Sequence, residues 1–348
     1  MSIDNLVINA GASVRDTIKL IDTNKKKAAF IVDNDMKLLG IFTDGDMRKY
    51  LLSNGDLNLP IEVAMNKNPI VFHSIEEAEN AMLRDKMIVY PVVDVNNIIK
   101  NALFWNQPTE GKQLSNELNS TPLVMMAGGK GTRLYPYTKI LPKPLIPIGD
   151  LTISERIIKQ FVRYGCKEVW LILNHKANMI KAFYNDLEKD YDVNYVDEKK
   201  FLGTGGGLSL LKGIINQTFF VSNCDVLVNT DLECVLRTHR QQKNIITFVC
   251  AMKNIVIPYG VINLDQNGCI YNMSEKPQYS FLTNTGLYVL EPEVIDDLKE
   301  DEFIHLPDIA QRYIEAGKKV GVFPISEKAW LDMGQFTEME AMMKELGI

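Results

Sequence analysis

The middle of the chain contains a glycine-rich segment that could bind phosphate. The run Ala127-Gly128-Gly129-Lys130-Gly131-Thr132 directly follows a short apolar stretch that reads as a strand. A glycine-rich turn in this place lets backbone N–H groups approach phosphate oxygens. The run lacks the Gly-Lys-Ser/Thr ending of a Walker A loop and the spacing of Gly-x-Gly-x-x-Gly, and by itself it also fits a tight structural turn. If it binds a nucleotide, we expect the contacts to come from Ala127, Gly128, Gly129, Gly131 and Thr132.

Two basic residues follow this glycine-rich run. Arg133 comes directly after it, and its rigid five-donor guanidinium suits a polyphosphate. Lys143 lies ten residues further on, between Pro142 and Pro144. Two flanking prolines restrict the backbone and present the lysine as a localised positive charge. The two side chains predict a site for a chain of phosphates.

Two aspartates are candidates for binding Mg²⁺ near those phosphates. Asp225 comes just after the apolar run Phe219–Ser222, and Asp332 lies in the segment Ala329-Trp330-Leu331-Asp332-Met333-Gly334. Transfer of a phosphoryl or nucleotidyl group depends mainly on charge neutralisation, and hard carboxylates hold the Mg²⁺ that supplies it. A single Asp at a strand end more often serves as a turn or cap residue. The sequence therefore predicts a shared metal site only if the fold brings the two together.

The elements around these residues alternate between strands and helices. Apolar runs predict strands at Leu123–Met126, Glu168–Leu173, Phe219–Ser222, Ile246–Met252 and Thr285–Leu290. A helical stripe beginning at Ile153 ends at Gly165, and Asn267-Gly268 indicates a hairpin. This order predicts an α/β fold, a Rossmann-like, doubly wound and mainly parallel sheet with ligands at the carboxyl ends of its strands.

The first part of the chain contains a weak internal repeat with an offset of 61 residues. Ser13-Val14-Arg15-Asp16 aligns with Ser74-Ile75-Glu76-Glu77, and Ala29–Asp33 aligns with Tyr90–Asp94. Each copy reads as helix, strand, Asp/Asn turn and strand. The segment Leu39-Gly40-Ile41-Phe42-Thr43-Asp44-Gly45-Asp46 resembles the strand-to-helix turn of a CBS motif. Two tandem motifs over residues 1–107 resemble an α+β CBS pair.

This resemblance implies a nucleotide site in the first copy. Thr43 would contact a phosphate and Asp46 the ribose hydroxyls, as in that family. The offset places Phe104 and Gln107 at the matching positions of the second copy, which departs from the pattern. The pair is then either a one-site sensor, with an adenine nucleotide as its ligand, or a structural unit for dimerisation. We expect a homo-oligomer formed through it, followed by a polar linker at 108–121.

The segment from 122 to 348 resembles the sugar-1-phosphate nucleotidyltransferases. The resemblance rests on Gly-Gly-x-Gly-Thr-Arg-Leu and Pro-Lys-Pro, and it continues in order through the later motifs. It implies a GT-A-like nucleotidyltransferase fold and a Mg²⁺-dependent reaction. In that family the residue at Arg133 binds the departing pyrophosphate, the lysine at Lys143 contacts the phosphates flanking the new bond, and the aspartates at Asp225 and Asp332 hold the metal.

The same resemblance implies where the base and the sugar would bind. Leu202-Gly203-Thr204-Gly205 matches the segment that packs on the base, although relatives often carry Ala where this chain has Gly205. Glu198 occupies the position that reads the base edge, and a carboxylate accepts hydrogen bonds from guanine N1–H and N2–H₂, which favours GTP. Glu198 also fits a solvent-facing residue beside Lys199-Lys200. The sugar would lie against Gly260, Glu275, Lys276 and Thr285.

The combination of domains narrows the resemblance further. A CBS pair before a short guanylyltransferase-like segment resembles the enzymes that make GDP-glucosamine for bacterial legionaminic acid synthesis, which implies glucosamine 1-phosphate as the acceptor. The mannose-1-phosphate guanylyltransferases, or another NDP-sugar pyrophosphorylase, are the alternative. A non-catalytic nucleotide sensor is a hypothesis of a different class, although the charged residues that such a sensor would be expected to lose are all present.

Composition excludes several other classes. The net charge is −6 and the basic residues are scattered, which argues against nucleic acid as a partner. No apolar run is long enough to span a membrane, and the first residues resemble no export signal. The five cysteines form no Cys-x-x-Cys pair, as is typical of reduced thiols. We therefore expect a cytoplasmic protein without a membrane partner.

Overall fold

The computed structural model describes residues 3–24, 26–78, 81, 87, 89–104 and 115–347. The chain divides into two compact units, Met1–Leu114 and Ser115–Ile348. Residues 108–114 of the predicted linker and Gln107 of the second repeat lie outside the described residues.

The described residues of the first unit include short strands and helices. Its strands are β1 (Val7–Asn9), β2 (Ala28–Val32), β3 (Leu38–Thr43), β4 (Val89–Val93) and β5 (Ile99–Phe104), and its helices are α1 (Val14–Asn24) and α2 (Asp44–Leu52). Single 3-10 turns occupy Ile3–Leu6 and Ile61–Val63. Strands β1 and β2 are parallel, whereas β2–β3 and β4–β5 are antiparallel pairs. Phe30 and Ile41 share one core cluster with Val89, Val93 and Ile99, so both repeats contribute to the same core.

The internal repeat is visible in the hydrogen bonds of the two strand turns. Asp33 Oδ1 accepts from the backbone N–H groups of Asp35 and Lys37. Asp94 Oδ1 accepts in the same way from Asn96 and Ile98, each 61 residues later. The carboxylate replaces a backbone turn bond in both copies, which explains why an Asp stands at the start of each turn.

The strand-to-helix turn of the first repeat is closed by its own polar side chains. Thr43 is the N-cap of α2, and its hydroxyl accepts from the Asp46 N–H at 3.4 Å while donating to Asp46 Oδ2 at 2.7 Å. The Thr43 N–H also donates to that carboxylate at 3.0 Å. This reciprocal arrangement is a capping box. Thr43 and Asp46 therefore have a structural role here, and their predicted contacts with a nucleotide stay a prediction.

The second unit is built on a larger sheet. Its strands are β6 (Leu123–Met126), β7 (Pro147–Ile148), β8 (Leu151–Thr152), β9 (Glu168–Leu173), β10 (Asp192–Asp197), β11 (Phe219–Asn223), β12 (Val226–Val228), β13 (Ile246–Val256), β14 (Val261–Leu264), β15 (Ile270–Ser274), β16 (Gln278–Leu290), β17 (Val320–Ser326) and β18 (Trp330–Asp332). Its helices are α3 (Tyr137–Ile140), α4 (Ile153–Val162), α5 (Ala177–Asp186), α6 (Leu232–Gln242), α7 (Glu293–Asp297), α8 (Leu306–Glu315) and α9 (Phe336–Leu346). The 3-10 turns are Thr132–Leu134, Lys143–Leu145, Gly206–Leu211 and Glu327–Ala329.

The predicted mainly parallel sheet is confirmed. Seven described strands hydrogen-bond in the order β10-β9-β6-β11-β16-β13-β17. Every neighbouring pair is parallel except the two pairs that β16 makes with β11 and β13. The carboxyl ends of β10, β9, β6 and β11 consequently meet at one edge of the sheet. That edge is where an open parallel sheet binds its ligands.

Both faces of the sheet are covered. Side chains alternate between the faces along each strand, so one strand contributes to the packing on both. Phe219 and Val221 belong to a core cluster that also contains residues of α7 and α8. Phe220 points the other way and meets Phe161 of α4, edge to face, at a centroid distance of 5.1 Å. Among the described helices, none is both long and apolar enough to cross a membrane.

Strands β13 and β16 extend further than their apolar runs predicted. They pair from Ile246 and Leu290 to Val256 and Gln278, with a register shift between Val249 and Cys250. The residues beyond the shift include polar and exposed side chains, so hydrophobicity alone did not mark them as strand. The predicted hairpin at Asn267-Gly268 joins β14 to β15 and also contains a register shift.

Candidate active site

The glycine-rich run forms a loop at the carboxyl end of β6. The Ala127 N–H donates to the Ile172 carbonyl at 2.9 Å, which continues the pairing with β9 to the start of the loop. Gly131 has a φ of +64°, a conformation that side chains rarely adopt. The Thr138 hydroxyl donates to the Gly131 carbonyl at 2.9 Å, and Lys143 Cβ lies 3.2 Å from where a Cβ on Gly131 would be. The loop and the Pro-Lys-Pro segment are therefore packed together.

Lys143 and Asp225 form an ion pair beside this loop. The Lys143 Nζ donates to Asp225 Oδ2, although the two residues are 82 positions apart in sequence. Lys143 is only 8% exposed. A charged side chain that is this buried needs a partner, because desolvation penalises an unpaired charge. The pairing links the predicted phosphate-binding lysine to a predicted metal ligand.

Asp332 is brought next to Asp225 by a short strand pair. Strand β18 runs antiparallel to β12, with Asp332 opposite Val226. The Met333 N–H donates to the Asp225 carbonyl at 2.9 Å. Burial raises the pKa of Asp332 to about 6, and the nearby charge of Asp225 adds to that effect. The structure thus places the two aspartates together.

Arg133 and a carboxylate that the sequence did not single out complete this cluster. A Cβ placed on Gly334 would lie 2.9 Å from Glu338 Oε2, 3.2 Å from Asp332 Oδ2 and 3.3 Å from Arg133 Nη1. Gly334 therefore leaves room for the three charged groups. The negative charge of Glu338, in the first turn of α9, also raises the Asp332 pKa, while Lys143 and Arg133 lower it. No motif or periodicity marked Glu338, since its place depends on where α9 packs.

The cluster fits Mg²⁺ held jointly by protein and substrate. Asp225 and Asp332 are hard oxygen ligands that lie close together, and their mutual repulsion favours a cation between them. Within the described part of the chain, no three His, Cys, Asp or Glu side chains group so that they could hold a metal ion. Mg²⁺ in proteins is usually bound by one or two carboxylates, with substrate phosphates and water as its further ligands.

Glu198 lies between two glycines at the carboxyl end of β10. A Cβ on Gly128 would be 2.7 Å from its Oε2, and a Cβ on Gly207 would be 2.5 Å from its Oε1. Glu198 is 6% exposed, and its Oε1 has no hydrogen-bond partner within the described residues. Burial raises its pKa to about 7. The structure contradicts the solvent-facing alternative, because this carboxylate is enclosed beside the glycine-rich loop.

Gly203 and the residues predicted to contact the sugar have different surroundings. Gly203 has a φ of +85°, and a Cβ there would lie 2.5 Å from the Ile304 carbonyl oxygen, so close packing alone requires a glycine. Glu275 Oε2 is 3.1 Å from the Cβ position of Gly260, which brings these two together. Lys276, directly after Glu275, is exposed and has a φ of 45°.

Thr285 differs from the other predicted sugar residues. It is 2% exposed, and its hydroxyl donates to the Val249 carbonyl at 2.7 Å, where the register of β13 and β16 shifts. In this structure the hydroxyl therefore stabilises the strand pair. Its predicted place beside a sugar stays a prediction, as do the predicted contacts of Gly203, Gly260, Glu275 and Lys276.

The enclosure of Glu198 leads to a prediction about stability. Gly207→Ala is expected to lower the melting temperature by roughly 3–9 °C, because the new methyl overlaps Glu198 Oε1 while Gly128 blocks movement of the carboxylate away from it. Thermal unfolding followed by circular dichroism measures this. Gly129→Ala is the matched control, since its Cβ would meet no atom within 4 Å. Equal melting temperatures for the two variants would show that Glu198 is not enclosed as described.

The raised pKa of Glu198 predicts how stability depends on pH. The folded state holds this proton up to about pH 7, whereas the ordinary pKa of a glutamate side chain is 4.5. Between these values the folded state binds more protons than the unfolded state, so this carboxyl stabilises the fold at low pH and the contribution is lost as pH rises. The free energy of unfolding of Glu198→Gln, measured relative to that of the wild type, should therefore rise by about 2–3 kcal/mol between pH 4.5 and 7.5. Denaturant unfolding at several pH values tests this, and a difference independent of pH would contradict it.

Comparison with known proteins agrees with the fold and the motifs. The family described as Nucleotidyl transferase matches residues 123–347, and the CBS domain family matches residues 1–53. A mannose-1-phosphate guanylyltransferase catalytic subunit beta from Drosophila melanogaster is 32% identical over 52% of this chain and 51% of its own length. A UTP–glucose-1-phosphate uridylyltransferase from Synechocystis is 29% identical over 61% of this chain and 60% of its own length. The chain thus spans about half to three-fifths of these relatives.

A shorter relative and a solved structure also match this chain. A D-glycero-alpha-D-manno-heptose 1-phosphate guanylyltransferase from Campylobacter jejuni is 28% identical over 54% of this chain and 84% of its own length. The crystal structure of HddC from Yersinia pseudotuberculosis superposes with a TM-score of 0.52 at 22% identity, over 65% of this chain and 99% of that one. That likeness shows the fold.

The fold and the site define a class of protein with a glycine-rich loop and a carboxylate cluster at the carboxyl edge of a mainly parallel sheet. The chain belongs to the nucleotidyl transferase family, with a CBS domain at its N-terminus. The relatives it matches in sequence are named as sugar-1-phosphate nucleotidyltransferases.

Proposed function

We propose that this protein transfers the nucleotidyl group of a nucleoside triphosphate to a sugar 1-phosphate and releases pyrophosphate. One observation carries the proposal: Lys143, Asp225 and Asp332 meet beside the glycine-rich loop, although they lie in three separate parts of the chain. A cation, two carboxylates and a loop of backbone donors are the groups that such a transfer needs. Family membership and the names of the relatives support the same class of reaction.

The reaction we propose is a direct in-line displacement. A phosphate oxygen of the sugar 1-phosphate attacks the α-phosphorus of the triphosphate, and the bond to the β-phosphate oxygen breaks. Arg133 binds the departing pyrophosphate, and the ammonium of Lys143 offsets negative charge at the α-phosphorus. Asp225 and Asp332 would hold Mg²⁺, which neutralises phosphate charge when bound. Positioning and electrostatics supply the rate, so no nucleophilic side chain is required.

GTP is the triphosphate that the base pocket favours. Glu198 lies beside Gly128 of the phosphate loop, and its Oε1 lacks a partner in the described structure. A buried carboxylate without a donor is costly, and the adjacent N1–H and N2–H₂ groups of guanine would supply two donors. Uracil and thymine present one N–H between two carbonyls, which an ionised carboxylate would repel. Two of the three relatives described above are named as guanylyltransferases.

For the acceptor we propose glucosamine 1-phosphate. An ammonium group at C2 of the sugar is attracted by a carboxylate, and the Glu275 carboxylate lies beside Gly260. The resemblance to guanylyltransferases of legionaminic acid biosynthesis supports the same sugar. Mannose 1-phosphate is the second candidate, because a relative at 32% identity is named for it.

The N-terminal CBS domain has two proposed roles. An adenine nucleotide would place its phosphate at Thr43 and its ribose at Asp46, or the pair would serve only to join subunits in a homo-oligomer. Adding AMP or ATP separates these roles. A change in rate, or a thermal shift that Asp46→Ala removes, supports a ligand, whereas no effect of either kind supports a structural unit.

One assay tests the proposed function as a whole. ATP, GTP, UTP and dTTP are each combined with glucosamine, mannose and glucose 1-phosphates, and pyrophosphate release is measured with Mg²⁺ and with EDTA. We expect release with GTP and glucosamine 1-phosphate, and none in EDTA. Preference for mannose 1-phosphate would support the second acceptor. Triphosphate binding without release from any combination would contradict the enzyme and support a non-catalytic sensor.

A further inference from the structure

Three consecutive residues after β9 contact three separate parts of the proposed site. We call residues 174–176 the 174–176 turn. The Asn174 side-chain amide donates to the Glu198 carbonyl at 2.9 Å. The His175 N–H donates to the Gly128 carbonyl at 3.4 Å. Lys176 has a φ of 55° and precedes α5, but its side chain extends away from that helix. The turn thus links Glu198, the residue predicted to contact the base, to Gly128 of the glycine-rich loop.

Lys176 uses all three of its ammonium donors on one short stretch of backbone. Its Nζ donates to the carbonyl oxygens of Thr138, Lys139 and Ile140 at 3.0, 2.7 and 2.8 Å. These carbonyls end the four-residue helix α3 and have no intrahelical donor. The carboxyl end of a helix carries partial negative charge, which an ammonium group neutralises. Lys176 therefore caps α3 from a strand end 36 or more residues away.

The capped stretch connects the phosphate loop to Lys143. Thr138 also donates through its hydroxyl to the Gly131 carbonyl at 2.9 Å, and its Cγ2 lies 2.8 Å from the Cβ position of Gly131. Pro142 and Lys143 follow Ile140 after a single residue. A shift of α3 would therefore move both Gly131 and Lys143. A displacement of about 1 Å can cost a large factor in rate when groups must be oriented.

We propose that Lys176 is a positioning residue that holds the phosphate loop and Lys143 in the geometry for binding the triphosphate. The inference rests on the proposed function and assigns a role within that site. Lys176 does not touch the reacting atoms in this role. It acts through the backbone of residues 138–140, and nothing in the sequence pattern around it indicated such a contact.

Steady-state kinetics of Lys176→Met test the proposal. We expect the KM for the triphosphate to rise about tenfold while the KM for the sugar 1-phosphate stays within about twofold, because only the loop side of the site loses its support. Lys176→Arg is expected to restore most of the lost affinity, since a guanidinium also donates several hydrogen bonds to carbonyl oxygens. Lys176→Gln, which keeps two donors without the charge, should fall between and serves if the Met variant does not fold.

Lys189→Met is the matched control. Lys189 also donates to carbonyls near a helix end, those of Tyr184 and Leu187 at 2.6 and 3.3 Å, but these belong to the end of α5. Its loss should leave both KM values unchanged. Equal KM values for Lys176→Met, Lys189→Met and the wild type would overturn the proposal, as would failure of Lys176→Arg to recover affinity.

A second measurement does not depend on turnover. Hydrogen exchange followed by mass spectrometry should show faster exchange in residues 131–141 of Lys176→Met but not of Lys189→Met, because the α3 carbonyls lose their donor. If the wild type releases no pyrophosphate and this difference is still seen, the proposed function fails and the positioning contact stands. If turnover is normal and no difference appears, the contact fails and the proposed function stands.

Discussion

Replacing Asp225 with asparagine should lower kcat by about 10³-fold while the protein stays folded, since losing a metal ligand removes several kcal/mol of charge stabilisation. Asparagine keeps the shape of the side chain and can still accept a hydrogen bond from Lys143, and the Asp332 carboxylate still offsets the buried charge of that lysine. It lacks the negative charge that faces Asp332 and would help to hold Mg²⁺. The loss should therefore appear in turnover more than in folding. Pyrophosphate release with saturating GTP, sugar 1-phosphate and Mg²⁺ measures it.

Asp231→Asn is the matched control for this variant. Asp231 lies six residues further along, and its Oδ1 caps α6 by accepting from the Cys234 N–H at 3.0 Å. Asparagine caps helices about as well as aspartate, so turnover and melting temperature should be unchanged. Near-normal turnover of Asp225→Asn at saturating Mg²⁺ would show that the metal assignment is wrong.

Replacing Glu198 with glutamine should change which triphosphate is used. We expect kcat/KM for GTP to fall by roughly 10²–10⁴-fold, because two hydrogen bonds to a charged acceptor are lost and each contributes about 1.5–3 kcal/mol. Glutamine offers one acceptor and one donor, a pair that matches uracil better than guanine. The ratio of kcat/KM for GTP over UTP should therefore fall by more than kcat/KM for GTP alone. Initial rates with each triphosphate at a fixed sugar 1-phosphate concentration measure this ratio.

The pH profile gives the same variant a second test. Burial raises the Glu198 pKa to about 7 in the free protein, and only the ionised form accepts both guanine hydrogen bonds. The wild-type KM for GTP should fall as pH rises from about 6 to 8, and this change should be absent in Glu198→Gln. Asp197→Asn is the control, since Asp197 is an exposed neighbour paired with Lys181. An unchanged base preference in Glu198→Gln would contradict the assignment of the base pocket.

Local pattern in the sequence predicted much of the fold. Short apolar runs at β6, β9 and β11, joined by amphipathic helices, led to a mainly parallel sheet because strand and helix periodicity are local properties. The repeat offset of 61 residues was also visible, since Asp33 and Asp94 start equivalent turns. Pattern did not predict the full length of β13 and β16. Their outer parts pair through backbone hydrogen bonds, which need no apolar side chains.

Some residues of the candidate site could be predicted from the sequence, and others could not. The glycine-rich loop, Pro-Lys-Pro and the two aspartates stand in short motifs, so residue types and spacing were enough to select them. Glu338 and Lys176 stand in no motif. Lys176 acts through hydrogen bonds on α3, 36 or more residues away in the chain, and Glu338 of α9 acts through its charge on Asp332 of the preceding strand β18. Only packing of separate elements brings such groups together.

The sequence by itself determined which groups are available for chemistry: a glycine-rich loop, two basic side chains and two carboxylates in short motifs, which we expect to bind phosphates and a divalent metal. The tertiary structure decided that Asp332 lies beside Asp225, that Lys143 pairs with Asp225, and that Glu198 is enclosed between Gly128 and Gly207. The physical reason is the distance along the chain between the interacting residues. A motif contains only residues that are close in sequence. Charge pairing and burial depend on strands β10, β6, β11 and β18, whose order in space differs from their order in the chain.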